Sequence, residues 1–233
     1  MNHKKDELLD LIHTCNATII ALQETKLSEN FNIRIPNYNL LCKEGHYNHG
    51  PHGGVALYIH SDVPYNEIKL NTPCQAVAAE VFLFLKFSIC NIYSSRSHAL
   101  HHQLLSDIYR QLTSPCLIVG NFNALQPPMG KCFHRFERMN FRSFLSDNNL
   151  NILNDGSPTR IADNSDTAID LSLCSPSISF NFDWSVFKSP LDSDHCPIII
   201  ETQDSPPEPL LPPWNLKRTD WFKFSSLSAW QNQ

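Results

Sequence analysis

Short apolar runs that stop abruptly at polar residues recur along this chain, and that pattern restricts its folds more than any other feature. Ala17–Leu22 is continuously apolar and ends in Gln23-Glu24-Thr25-Lys26. Pro115–Val119 ends in Gly120-Asn121-Phe122-Asn123, and the β-rich stretch Gln75–Ser94 carries Asn91-Ile92-Tyr93 near its end. Two more polar clusters, Thr167-Ala168-Ile169-Asp170 and Ser193-Asp194-His195, lie beside later apolar runs. Runs this short are too brief for separate helices and suit buried strands. Ligand and catalytic groups gather at the ends of such strands.

The rest of the chain supplies helices around them. Leu8, Leu9, Leu11 and Ile12 predict an amphipathic helix over roughly Lys4–Cys15. Helical periodicity recurs over Ala99–Leu112 and over Arg135–Leu150, where Phe136, Met139, Phe144 and Leu145 make an apolar face. Val55–His60 reads as a strand entered through Gly53-Gly54, and Gln75–Ser94 as two strands joined near Leu85-Lys86. Ala168–Leu173, Phe180–Val186 and Pro197–Glu201 are β-like as well. Strict β-α-β alternation is scarce, which favours two packed sheets flanked by helices over one doubly wound sheet. From Gln203 the chain turns Pro-rich, so we expect one domain over 1–203 and a semi-rigid linker and tail over 204–233.

Bulk properties narrow the function. At 42% hydrophobic and 18% charged residues, 233 residues bury a real core, and wholesale disorder is excluded. The net charge of −5 counts against a pure nucleic-acid binding module, since such modules gain affinity by neutralising phosphates. It counts less against a metal-dependent nuclease, where carboxylates gather round a cation. None of the eight cysteines forms a closely spaced pair, which argues for buried thiols in a reducing compartment and against zinc. The N-terminus lacks an apolar leader and no run reaches membrane-span length, so an intracellular protein is expected, nuclear at its time of action.

Taken singly, each polar cluster has an ordinary explanation. Glu24 suits a solvated strand end, Tyr93 a half-buried strand aromatic, and Asn121 and Asn123 a turn. Asp194-His195 suits a surface hydrogen-bonded pair, and Asp170 a cap or a structural ion pair. Their order along one chain changes this. The string Leu22-Gln23-Glu24-Thr25-Lys26, the strand ending at Tyr93, Gly120-Asn121-Phe122-Asn123, Ile169-Asp170 and Ser193-Asp194-His195 resembles the endonuclease/exonuclease/phosphatase superfamily. Gly53-Gly54-Val55-Ala56-Leu57-Tyr58, Ser157-Pro158-Thr159-Arg160, Ala168-Ile169-Asp170-Leu171 and Trp214-Asn215-Leu216-Lys217 resemble its apurinic-endonuclease-like branch in jockey-type non-LTR retrotransposons. The resemblance covers roughly residues 4–224.

It implies an α/β fold of DNase I type: a four-layer sandwich of two packed mixed β-sheets flanked by helices. It also implies Mg²⁺- or Mn²⁺-dependent hydrolysis of DNA phosphodiesters. Glu24 would be the principal metal ligand, and Asp194 would support the metal or the residues behind it. Asn123 and Tyr93 would contact the scissile phosphate. His195, held by Asp170, would donate a hydrogen bond to the phosphate oxygen as charge builds. A carboxylate behind a histidine fixes its tautomer and favours its charged form. In relatives the tail leads toward a reverse transcriptase domain, an expected partner alongside DNA; no membrane partner is expected.

Three departures from the pattern matter. Asn121 stands where the family carries an aspartate that orients or deprotonates the attacking water, and an amide cannot take that proton. Only 23 residues precede Glu24, so the family's first strand and its metal-site asparagine are expected to be missing, which would expose backbone donors and acceptors. Met129-Gly130 replaces an aromatic-glycine pair, and Thr167 a serine. An endonuclease with impaired chemistry is the leading expectation. A catalytically dead module binding DNA or protein, and a small-molecule phosphoesterase on the same fold, are the alternatives. The groups His46, His49, His52 and His98, His101, His102 lack carboxylate or thiol company and read as surface histidines.

Overall fold

A computed structural model describes residues 2–26, 34–47, 50–51, 53–94, 102–122, 141–162, 165–188, 191 and 193–202. The chain opens with helix α1 (Asn2–Cys15), followed by strands β1 (Ile19–Gln23), β2 (Tyr38–Lys43), β3 (His46–Tyr47), β4 (Gly50–Pro51), β5 (Val55–His60) and β6 (Tyr65–Ile68). Next come β7 (Gln75–Phe82), β8 (Lys86–Ser94), α2 (His102–Tyr109), β9 (Cys116–Phe122) and α3 (Phe141–Asp147). The last elements are β10 (Asn151–Ile152), β11 (Arg160–Ala162), β12 (Ser165–Thr167), β13 (Asp170–Cys174), α4 (Pro176–Ser179), β14 (Phe182–Val186) and β15 (Ile198–Thr202).

Two sheets carry the architecture. One has three strands in the order β1-β5-β2, and the other six in the order β10-β13-β9-β8-β7-β6. Only the larger is mixed: β8 and β9 run parallel, whereas every other pair is antiparallel. Strand alternation builds four layers from these sheets. Ala56 and Tyr58 of β5 point outward to Leu8, Leu9 and Ile12 of α1. Leu57 and Ile59 point inward, against Ala79, Val81, Ile89 and Leu117 of the larger sheet. On that sheet's far face Cys90, Ile92 and Ile118 pack under Leu105 and Ile108 of α2 and Phe141 and Phe144 of α3. The expected α/β sandwich with helices outside is therefore the observed one, with its smaller sheet purely antiparallel.

Helix α1 ends where Asn16 takes a left-handed φ of 46°, a conformation that asparagine tolerates. Of the seven described cysteines all are free; Cys90, Cys116, Cys174 and Cys196 are buried, and Cys42 is exposed. Burial pushes the Cys174 thiol up to about 12 and raises Cys90 and Cys116 as well, so these act as small apolar side chains. No helix among the described residues is long and apolar enough to cross a membrane.

One glycine sets the strand pairing at the heart of the molecule. Gly120 has φ +154°, and a Cβ there would stand 1.9 Å from the Ile92 carbonyl oxygen of the neighbouring strand. Because the obstacle is backbone, it cannot rotate away. Gly120→Ala should force β8 and β9 apart and destabilise the protein by about 1–3 kcal/mol, as overpacking does elsewhere. A denaturant midpoint equal to that of the parent would contradict this.

Candidate active site

The polar clusters converge at one end of the layer between the two sheets. Tyr93 on β8 is paired in register with Asn121 on β9, and Asn121 with Asp170 on β13. Three consecutive strands thus present a row, Tyr93–Asn121–Asp170, with each side chain next to its neighbour. Each end of the row is extended by a hydrogen bond. The Tyr93 hydroxyl donates to Glu24 Oε1 at 2.8 Å, and His195 Nδ1 lies 2.8 Å from Asp170 Oδ2. Five of the seven residues singled out in the sequence therefore form one continuous array.

Local structure explains why Glu24 stands there. It follows the last residue of β1 with φ 52°, in the left-handed region that glutamate seldom occupies. The turn is pinned by Thr25 N–H donating to the Gly54 carbonyl at 3.3 Å and Lys26 N–H to that of Gly53 at 2.8 Å. Asn91 fixes this turn relative to Tyr93. Fully buried on β8, it donates from Nδ2 to the carbonyls of Leu22 and Ala56, both at 2.9 Å, and accepts from Gln23 Nε2 at 2.6 Å. Leu22 and Ala56 are themselves a cross-strand pair, so one amide staples both strands of the small sheet to the large one. Satisfied buried amides of this kind specify register as well as adding stability.

The other end is held by Thr159, whose side chain is fully buried. Its hydroxyl donates to Asp170 Oδ2 at 2.7 Å while accepting from the backbone N–H groups of Ile169 and Asp170, both at 3.2 Å. Asp170 is 8% exposed, so its carboxylate leans on these partners. Burial works against a charged His195, yet the hydrogen bond and charge of Asp170, with Asp194 nearby, hold its pKa above the usual histidine value. With Nδ1 committed to Asp170, Nε2 is the ring atom left for a substrate. Asp194 is engaged elsewhere: Arg160 Nε donates to its Oδ2 at 2.7 Å. Burial disfavours its charge, but Arg160 and His195 hold Asp194 below the usual carboxylate range.

The raised His195 value has a consequence for stability. Because the folded-state pKa exceeds the unfolded one, the pair's contribution is complete below the ordinary histidine pKa of about 6.5 and is lost as pH rises through the folded-state value. The denaturant midpoint of the parent, relative to His195→Gln, should therefore fall as pH rises above about 6.5. An offset between the two proteins that does not change with pH would contradict the pairing.

Asn121 is the unusual member of the row. It is 3% exposed, and its Oδ1 is buried without a hydrogen-bond partner. A buried acceptor in that condition calls for a donor such as a bound water. Among the described residues no group of three histidine, cysteine or acidic side chains is arranged to hold a metal ion. The hard carboxylate oxygens of Glu24 still suit Mg²⁺, which takes one or two carboxylates and keeps several waters. Asn123 lies outside the described residues, as do His49, His52, His98, His101, Met129, Gly130 and the tail from Gln203. Thr159 and Arg160 were quoted in the sequence only as part of a string. Their roles emerge from hydrogen bonds to residues far along the chain.

Residues 87–199 match the family described as Endonuclease-reverse transcriptase. No curated protein matches the chain. Among solved structures it is similar to the endonuclease domain of TRAS1, a telomere-specific non-LTR retrotransposon. The TM-score is 0.66 and the identity 15%, covering 87% of this chain and 93% of that one. An AP endonuclease from Archaeoglobus fulgidus gives a TM-score of 0.61 at 16% identity, covering 84% and 93%. The 3' phosphatase NExo from Neisseria, bound to a product DNA hairpin, gives 0.59 at 18% identity, covering 85% and 94%.

Proposed function

We propose, from the premise that this chain belongs to the endonuclease/exonuclease/phosphatase superfamily, that it is a DNA endonuclease domain of retrotransposon type whose chemical step is slowed by Asn121. The observation that carries the reading is the array Glu24–Tyr93–Asn121–Asp170–His195, assembled from four strands and the His195 segment. It sets a carboxylate at one end of the row and a carboxylate-backed histidine at the other.

In this reading Glu24 holds Mg²⁺, and Mn²⁺ in its place, with water completing the coordination. When bound, the ion neutralises charge on the phosphate oxygens. Tyr93 turns its hydroxyl to Glu24 and fixes the carboxylate; with Asn123 it contacts the scissile phosphate. Asp170 holds His195 by Nδ1, so the Nε2 proton faces the phosphate oxygen and stabilises charge as it develops. Thr159 keeps Asp170 aimed. Asn121 Oδ1 accepts a hydrogen bond from the attacking water and orients it, but removes no proton. Asp194, engaged by Arg160, steadies the residues behind the metal. DNA is the substrate, and a reverse transcriptase domain is the expected companion in a full-length element.

A substrate panel tests the reading. In Mg²⁺, with Asn121→Asp used to restore the base, supercoiled plasmid should be nicked faster than an end-labelled duplex is trimmed or a phosphate monoester is hydrolysed. Preferential release of inorganic phosphate from the monoester would replace this reading with the small-molecule alternative.

A further inference from the structure

Arg160 is a strongly basic side chain that the structure ties directly to the His195 segment. Backbone bonds place it there: Arg160 and His195 are opposed in an antiparallel bridge, flanked by Ile161 N–H donating to the Asp194 carbonyl at 2.8 Å and Cys196 N–H to that of Thr159 at 2.7 Å. Residues directly opposed in such a pair project to the same face, with Cβ atoms about 4.5–5.5 Å apart. The guanidinium and the imidazole therefore rise side by side, on the edge of the array remote from Glu24. A guanidinium so placed draws an anion to it.

Asp194 is one such anion. It takes the Arg160 Nε hydrogen at 2.7 Å, and the Arg160 side chain is 19% exposed. A guanidinium carries further N–H donors in a planar fork that matches phosphate oxygens. One carboxylate at Nε orients that fork without using it up. His195 belongs with the reacting phosphate, since its Nδ1 is committed to Asp170 in the row. Arg160 sits on β11, outside the row and one strand pairing beyond His195.

We propose that Arg160 binds a second backbone phosphate of the nucleic acid, next to the one that is cut, with Asp194 as the residue that positions its fork. The inference rests on the endonuclease reading above. It gives the Arg160–Asp194 pair a role in substrate binding, and it explains why a carboxylate beside the site is spent on an arginine.

Two substrates separate the possibilities. The first is a labelled plasmid or duplex with many phosphates; the second is bis(p-nitrophenyl) phosphate, a diester with no neighbouring phosphate. Both are measured in the Asn121→Asp background, with and without Arg160→Met. The expected result is a KM for DNA raised about tenfold, in line with loss of a hydrogen bond to a charged group. Turnover of the small diester should fall far less than kcat/KM on DNA. The salt dependence of DNA binding should also lose about one unit of slope, since one phosphate contact is gone. Arg160→Lys, which keeps the charge and a partner for Asp194, should recover the salt slope but not the full affinity. An equal loss on both substrates would make Arg160 a structural residue and overturn the proposal. Unchanged DNA affinity and salt slope in a folded Arg160→Met protein would overturn it too. If Asn121→Asp itself, folded and with Arg160 intact, cleaved neither substrate and its DNA affinity did not depend on Arg160, the endonuclease reading and this proposal would both fall. Silence on both substrates with the Arg160-dependent salt slope intact would overturn the endonuclease reading alone and uphold the phosphate contact.

Discussion

Asn121→Asp should raise Mg²⁺-dependent nicking of supercoiled plasmid by about 10²–10⁴-fold over the parent, the usual worth of a positioned general base. The substitution is nearly isosteric, and the site already has room for it. Asn121 Oδ1 has no protein partner, so a carboxylate oxygen there breaks no existing hydrogen bond at that atom. The new carboxylate would sit in register with Asp170 and almost fully buried. Burial and a like charge both favour the protonated form, so its pKa should be raised toward neutrality, where a general base works best. The expected signature is nicking that increases with pH across that raised value. The same environment makes the carboxylate costly, so a lower denaturant midpoint should accompany the gain in rate. A folded Asn121→Asp protein with parental activity would mean that the missing base is not what limits this chain.

The second large effect should come from His195→Ala in the Asn121→Asp background, with nicking reduced by about 10²–10⁴-fold and DNA affinity little changed. The imidazole is fixed by Asp170, which Thr159 holds in turn, so in the proposed reading its remaining N–H would be preorganised for the oxygen on which charge accumulates. Removing it leaves Asp170 a buried carboxylate without its cation, and some loss of stability should follow. Asp170→Asn should act in the same direction more mildly, because the imidazole stays while its orientation and charged form lose support. A single-turnover rate on pre-bound DNA separates chemistry from binding. An equal loss of affinity and rate would assign His195 to binding alone.

Much of this was legible in the sequence, for identifiable reasons. Long apolar strands announce themselves by composition: Val55–His60 is the strand over those same residues, and Gln75–Ser94 does split into two. Edge and half-exposed strands do not. Tyr38–Lys43 alternates irregularly between half-buried and exposed, and Tyr65–Ile68 is paired on one side only, so neither has a period that sequence can display. The hairpin of β11 and β12 is only three residues a side, below the length at which alternation is readable. The candidate site residues were singled out by their order along the chain. What order could not supply was register. That Tyr93, Asn121 and Asp170 stand abreast follows from strand pairings between distant segments. The same holds for Thr159 behind Asp170, Asn91 between the sheets and Arg160 beside His195, whose partners lie 11, 35 to 69 and 34 residues away.

The most direct test compares the Mg²⁺-dependent conversion of supercoiled to nicked plasmid by Asn121→Asp with that by the same protein also carrying Glu24→Gln. The account predicts nicking by the first, abolished by chelating the metal, and loss of nicking in the second at unchanged fold and DNA binding. Equal nicking by both proteins would place the reaction centre somewhere other than the row that begins at Glu24.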